Sequence, residues 1–172
     1  MSQRDSGYER AVLDRYETPE WVTQALLPHL IAVDEVWEPA CGSGRMAWVL
    51  RTHGLKVRST DIETGTDFLV ETLRVPAIVT NPPYGLAEQF IQHALRLTCA
   101  QKGLVGMLLR TDYDHAKTRR HLFGDCPTFA KKVVLTRRIR WFEDSTGNPS
   151  FNHAWFVWDW QHQGPPVLAY GP

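Results

Sequence analysis

Apolar positions recur four residues apart from Trp21, pairing Trp21 with Ala25 and Val22 with Leu26, the spacing of one helix face. Thr18-Pro19-Glu20 supplies the start, with Thr18 as cap, Pro19 at the first helical position and a carboxylate in the first turn. Pro28 lacks an amide donor and ends the helix. Val36-Trp37-Glu38-Pro39 then reads as a short strand entering the turn Cys41-Gly42-Ser43-Gly44, followed by a helical pattern at Met46, Val49 and Leu50. Leu55 to Asp61 alternates as a second strand does and ends in a carboxylate. Thr66-Asp67-Phe68 is expected as a short third strand. Ala77 to Thr80 is an apolar strand stopped by Asn81-Pro82-Pro83-Tyr84-Gly85, because successive prolines cannot serve a central ladder. A helix follows on the pairs Leu86/Phe90, Phe90/Ala94 and Ile91/Leu95, with Gly103 beyond its end. Leu104 to Leu109 is nearly all apolar, which suits a strand covered on both faces. Another helix is expected near His115 to Phe123. Lys131 to Thr136 and Ala154 to Trp160 complete the pattern as an antiparallel pair at the sheet edge.

Strands alternating with helices up to residue 123 indicate an α/β fold with an open, mostly parallel sheet. With 172 residues and no internal repeat or linker, the chain 1–172 is expected to be one domain. No apolar run reaches the length of a membrane span, and Met1 to Ser6 lacks the apolar stretch of a secretory signal, so a cytoplasmic protein is expected. Cys41, Cys99 and Cys126 are too few and too scattered for a disulfide framework or a zinc knuckle. The histidines form neither a metalloprotease nor a zinc-deaminase pattern, and no metal is expected.

Charge alters the picture only when divided along the chain. The formal net charge is zero, yet residues 1–109, 110–140 and 141–172 carry −3, +6 and −3. The middle block holds Arg110, Lys117, Arg119, Arg120, Lys131, Lys132, Arg137, Arg138 and Arg140. Such a block either neutralises phosphates on one face or is an ordinary solvated surface. The aromatic group Trp141, Phe142, Phe151, Trp155, Phe156, Trp158 and Trp160 has two readings as well, a groove for an unstacked strand or core packing.

In open parallel sheets a ligand binds beyond the carboxyl ends of the strands. Glu38, the Gly42-Ser43-Gly44 turn, Asp61, Asp67 and Asn81 to Tyr84 all end or follow strands, so they converge on one rim. Glycines at 42 and 44 let the backbone turn sharply close to a ligand. Asp61, seventeen residues after Gly44, stands near the spacing at which a carboxylate holds ribose hydroxyls. A nicotinamide enzyme is a rival on that spacing, but its third glycine position holds Ala47. The decisive element is Asn81-Pro82-Pro83-Tyr84. An amine conjugated to an aromatic ring is a poor nucleophile, and two acceptors that take its hydrogens push it towards tetrahedral geometry. The Asn81 side-chain oxygen and the Pro82 carbonyl are such acceptors, Pro82 and Pro83 stiffen them, and Tyr84 offers a face for a base to stack on.

These motifs resemble those of the class I S-adenosylmethionine (SAM)-dependent methyltransferases, specifically the adenine amino (N6) methyltransferases that carry an NPPY motif. The likeness covers roughly residues 14–110: Tyr16-Glu17-Thr18-Pro19, the glycine motif Glu38 to Gly44, Asp61, Asp67-Phe68 and Asn81 to Tyr84. It implies a Rossmann-like open seven-stranded sheet with helices on both faces and the last strand inserted antiparallel. It also implies SAM as cofactor, held by Tyr16, Thr18, Pro19, Glu38, Ala40, Gly42, Gly44, Asp61, Ile62, Asp67, Phe68 and Asn81. Catalysis would fall to Asn81, Pro82, Pro83 and Tyr84 on adenine in nucleic acid, DNA before RNA, gripped through the stretch 110–140. No separate target-recognition region is expected after the core strands. Target choice is then left to promiscuity on DNA, to a homodimer or specificity partner, or to an RNA recognised by shape. Two further readings are a methyltransferase acting on a protein glutamine amide and a non-catalytic SAM-binding accessory subunit.

Overall fold

The computed structural model describes residues 16–141 and 151–171. Its strands are β1 (Glu35–Glu38), β2 (Lys56–Ser59), β3 (Ala77–Thr80), β4 (Leu104–Arg110), β5 (Phe129–Leu135), β6 (His153–Asp159) and β7 (Val167–Gly171), with helices α1 (Glu20–Leu26), α2 (Arg45–Thr52) and α3 (Ala87–Cys99). The strands form one sheet of seven in the order β2-β1-β3-β4-β6-β5-β7. β6 alone runs against the rest, antiparallel to β4 and β5; every other pairing is parallel. The chain moves outward from β1 to β2 and then returns past β1 to β3. The crevice beyond the ends of β1 and β3 is therefore the point where strand order reverses, the usual ligand position in such sheets.

Period-two alternation divides the core into two layers. α3 sets Phe90, Ile91 and Ala94 against Trp37, Ile78, Val105 and Phe156 on one face. α1 and α2 set Val22, Leu26 and Leu50 against Val36, Val79, Leu108 and Trp155 on the other. Gly106 faces Leu26, where a Cβ would stand 3.3 Å from Leu26 Cδ2. The absent side chain lets α1 settle close to the sheet.

Several expectations are corrected. The cap of α1 is Pro19 rather than Thr18, and Thr18 lies buried one residue earlier without a capping hydrogen bond. Thr66-Asp67-Phe68 is not a strand: the Asp67 carboxylate accepts from Leu69 N at 3.0 Å and starts a 3-10 turn, Phe68–Val70. Residues 113–122 form two 3-10 turns, Tyr113–His115 and Lys117–Leu122, in place of an α-helix. β5 and β6 are an antiparallel pair, but they do not form the edge. β7 pairs parallel to β5 outside them, and the inserted antiparallel strand is the sixth rather than the last. Among the described residues no helix is long and apolar enough to cross a membrane.

Candidate active site

A cleft of about 250 Å³ opens beyond the ends of β1, β2 and β3. Eleven of the residues singled out from the sequence line it: Tyr16, Thr18, Glu38, Ala40, Gly42, Asp61, Ile62, Asp67, Phe68, Asn81 and Pro83. Pro19, Gly44, Pro82 and Tyr84 stand outside its lining. Glu17, Ser43 and Thr66, named in the motifs but given no role, also line it, as do Arg45, Glu63 and Leu86; of the last three, Arg45 directly follows Gly44 and was legible from that turn.

One wall is made largely of backbone. Gly42 and Gly44 adopt φ of 51° and 87°, left-handed values that favour glycine, and Gly44 caps α2. Asp61 ties this turn to the tip of β2: its Oδ2 accepts from Gly42 N at 2.9 Å and its Oδ1 from Glu63 N at 3.0 Å. Each oxygen retains a lone pair for a hydroxyl in the cleft. Glu38, at the end of β1, is only 2% exposed, and its Oε2 is buried with no hydrogen-bond partner. Burial pushes its carboxyl up to about 8, with Asp61 adding to the rise and the Ala47 amide and Arg51 opposing it. An unused buried acceptor costs roughly 1–3 kcal/mol. A polar ligand group in the cleft would relieve that cost.

The opposite wall is made of side chains, with Tyr16 and Asn81 in the lining and Tyr84, Trp141 and His153 clustered next to them outside it. Asn81 follows β3, and its Nδ2 donates to the Tyr16 carbonyl at 3.1 Å. That bond decides which way the amide faces, leaving Oδ1 as the acceptor directed away from Tyr16. Among the described residues no hydrogen bond ends on the Pro82 carbonyl. Tyr84 stands beside this pair with its ring centroid 5.8 Å from that of Tyr16, which is in turn 5.3 Å from Trp141. His153 was not singled out from the sequence. It begins β6 opposite Arg110, and because β6 is reversed its first residue reaches the rim where the other strands end. Its Nε2 lies 3.0 Å from the Tyr84 hydroxyl, and Trp141 meets its ring edge-on at 5.1 Å. Burial, with Arg110 nearby, pushes the His153 ring down to about 4. No sequence pattern links two residues so far apart.

The basic block does not form one face. Arg110 pairs with Asp112, Arg120 with Asp125, and Lys132 with Asp114 and the Thr111 carbonyl. Arg119 and Arg137 lie over Tyr113 and Trp21. Lys131 contacts His29, so the two neighbouring lysines of β5 take partners in different parts of the molecule. The aromatic group divides too. Trp155, Phe156 and Trp158 are core, with Trp155 and Trp158 donating to the Val22 and Leu122 carbonyls. Trp141 belongs to the cleft side, and Phe142 lies outside the described residues. Among the described residues no group of three or more His, Cys, Asp or Glu is arranged for a metal ion.

No protein-family model matches the chain, and no curated protein matches it in sequence. Solved structures do match in shape. A candidate RNA methyltransferase from Pyrococcus horikoshii superposes with a TM-score of 0.63 at 16% identity, over 86% of this chain and 87% of its own. A candidate class I SAM-dependent methyltransferase from Listeria monocytogenes gives 0.62 at 13% identity, over 89% of this chain and 65% of its own. The modification subunit of a candidate type I restriction enzyme from Vibrio vulnificus gives 0.58 at 14% identity, over 91% and 47%. The fold is the Rossmann-like fold of these methyltransferases.

Proposed function

We propose that the chain transfers a methyl group from SAM to the exocyclic N6 amine of adenine in nucleic acid, with DNA preferred to RNA. The observation that carries this reading is the Asn81 amide, turned by the Tyr16 carbonyl so that its oxygen is the available acceptor beside the cleft. Around it, the residues fit the cofactor. Asp61 suits two ribose hydroxyls, the Gly42 to Gly44 turn leaves the backbone open to close approach, and the orphaned Glu38 oxygen awaits a polar partner. When bound, the sulfonium supplies an electrophilic methyl and its own thioether leaving group.

The chain's residues prepare the acceptor. Asn81 Oδ1 and the Pro82 carbonyl each accept a hydrogen bond from the amine, which favours a tetrahedral nitrogen whose lone pair is drawn out of conjugation and directed towards the methyl; once methylated, the nitrogen sheds one proton to solvent. Preorganisation comes from the proline pair and from the Asn81–Tyr16 hydrogen bond, so no ordering is needed at the moment of reaction. Tyr84 and Trp141 provide aromatic faces near this point, and stacking a base on one is worth about 1–3 kcal/mol, close to the cost of unstacking it. These rings favour a nucleobase over a glutamine amide, which has no aromatic face to stack.

Incubation with methyl-labelled SAM and separate DNA, RNA and protein pools tests the reading. Label recovered as N6-methyladenine is expected. Label in RNA alone would move the substrate and keep the chemistry. Label in protein, or none in any pool, would overturn the proposal.

A further inference from the structure

Tyr84 is held by a residue from the far end of the chain. The imidazole of His153 is 2% exposed, its Nε2 lies 3.0 Å from the phenol oxygen, and Trp141 closes its other side at 5.1 Å. His153 Nδ1 is buried without a partner of good geometry. The Tyr84 hydroxyl is a polar partner within hydrogen-bond distance of this buried ring, whose burial is costly without one.

We propose that His153 is a positioning residue that anchors the ring of Tyr84 for a nucleobase, through the imidazole–phenol hydrogen bond. The inference rests on the adenine reading above and adds a part to it. Tyr84 follows two prolines and opens a short 3-10 turn, Tyr84–Leu86, so its backbone is set while its side chain still has freedom about its torsions. The hydrogen bond fixes where the tip of the phenol lies, while rotation about the ring's long axis, on which the oxygen sits, is limited by the Tyr16 ring 5.8 Å away. His153 has the rigidity for this task, because it opens β6 and is paired with Arg110 of β4. With its ring kept neutral by burial, the contact does not titrate near neutral pH.

A double-mutant cycle of Tyr84→Phe and His153→Phe tests the proposal, read both on affinity for an adenine oligonucleotide and on KM and kcat. Tyr84→Phe keeps the aromatic face and loses only the hydroxyl. Each single change is expected to weaken oligonucleotide affinity and raise its KM roughly threefold to tenfold, with kcat less affected, and the double variant should be no worse than either. Multiplying effects would mean that His153 acts only through folding, and would overturn the inference. Absence of methyl transfer in the unaltered protein would sink the adenine reading separately, since the affinity cycle does not need turnover. Should His153→Phe fail to fold, nitrogen NMR of the His153 ring in Tyr84→Phe decides: its resonances should shift when the phenol is removed, and unchanged resonances would refute the contact.

Discussion

The two walls of the cleft are built differently. The wall proposed for the cofactor is nearly continuous in sequence, from Glu38 to Phe68, and its geometry comes from backbone: two left-handed glycines and a carboxylate that gathers amides of residues 42 and 63. The wall proposed for the target draws on Tyr16, Asn81, Tyr84, Trp141 and His153, and its geometry comes from side chains touching one another. A backbone wall tolerates exchange of most side chains, whereas a side-chain wall changes whenever one member does. On the proposed function, this makes cofactor binding the fixed part of the site and the target the adjustable one. Each wall also buries one titratable group, and the two shift in opposite senses: Glu38 is kept protonated and His153 is kept neutral.

The sharpest separation of the walls comes from Asn81→Ala, which should lower turnover by about a hundredfold to a thousandfold while SAM affinity holds, by steady-state kinetics and calorimetry. A fall in SAM affinity of similar size would place Asn81 on the wrong wall. Asp61→Ala should do the reverse, weakening SAM binding roughly tenfold to a hundredfold as charge-assisted hydrogen bonds are lost, with oligonucleotide affinity little changed. Unaltered SAM affinity would dislodge the cofactor from this cleft. The smallest effect is on stability against pH. Glu38 contributes stability that is fully present below its ordinary value of 4.5 and is lost as pH rises to about 8, because only the unfolded chain is ionised between them. His153 contributes stability that is present above 6.5 and is lost as pH falls to about 4. Melting temperature should therefore decline on both sides of a mildly acidic maximum, and Glu38→Gln should flatten the alkaline side only. A Gln variant with the original alkaline slope would show that Glu38 is not its source.

The contrast between the walls also explains how much could be read from sequence. Glycines 42 and 44, Asp61 and the Asn81 to Tyr84 turn stand next to the strands that position them, so local pattern located them. His153 did not announce itself, because its role depends on β6 being reversed beside β4. The strand expected at residues 66–68 failed because Asp67 finds a nearer partner in the Leu69 amide than any ladder offers. β7 was not expected; it follows Pro165 and Pro166, after which an edge strand can begin. The basic block misled for a related reason: proximity in sequence does not hold charges together when neighbours on a strand face opposite ways, as Lys131 and Lys132 do.

Gly106 gives the proposed chemistry an unexpected reach. The hollow it leaves receives Leu26 and so sets how deeply the first helix is seated, and Tyr16 lies just before that helix. A methyl group added at residue 106 would press on Leu26 Cδ2 and Val79 Cγ2, and Leu26 would have to give by a few tenths of an ångström. Any part of that strain passed along the helix would arrive at Tyr16, the anchor of the Asn81 amide, so on the proposed function the middle of the sheet bears on reactivity without any change in the reacting residues.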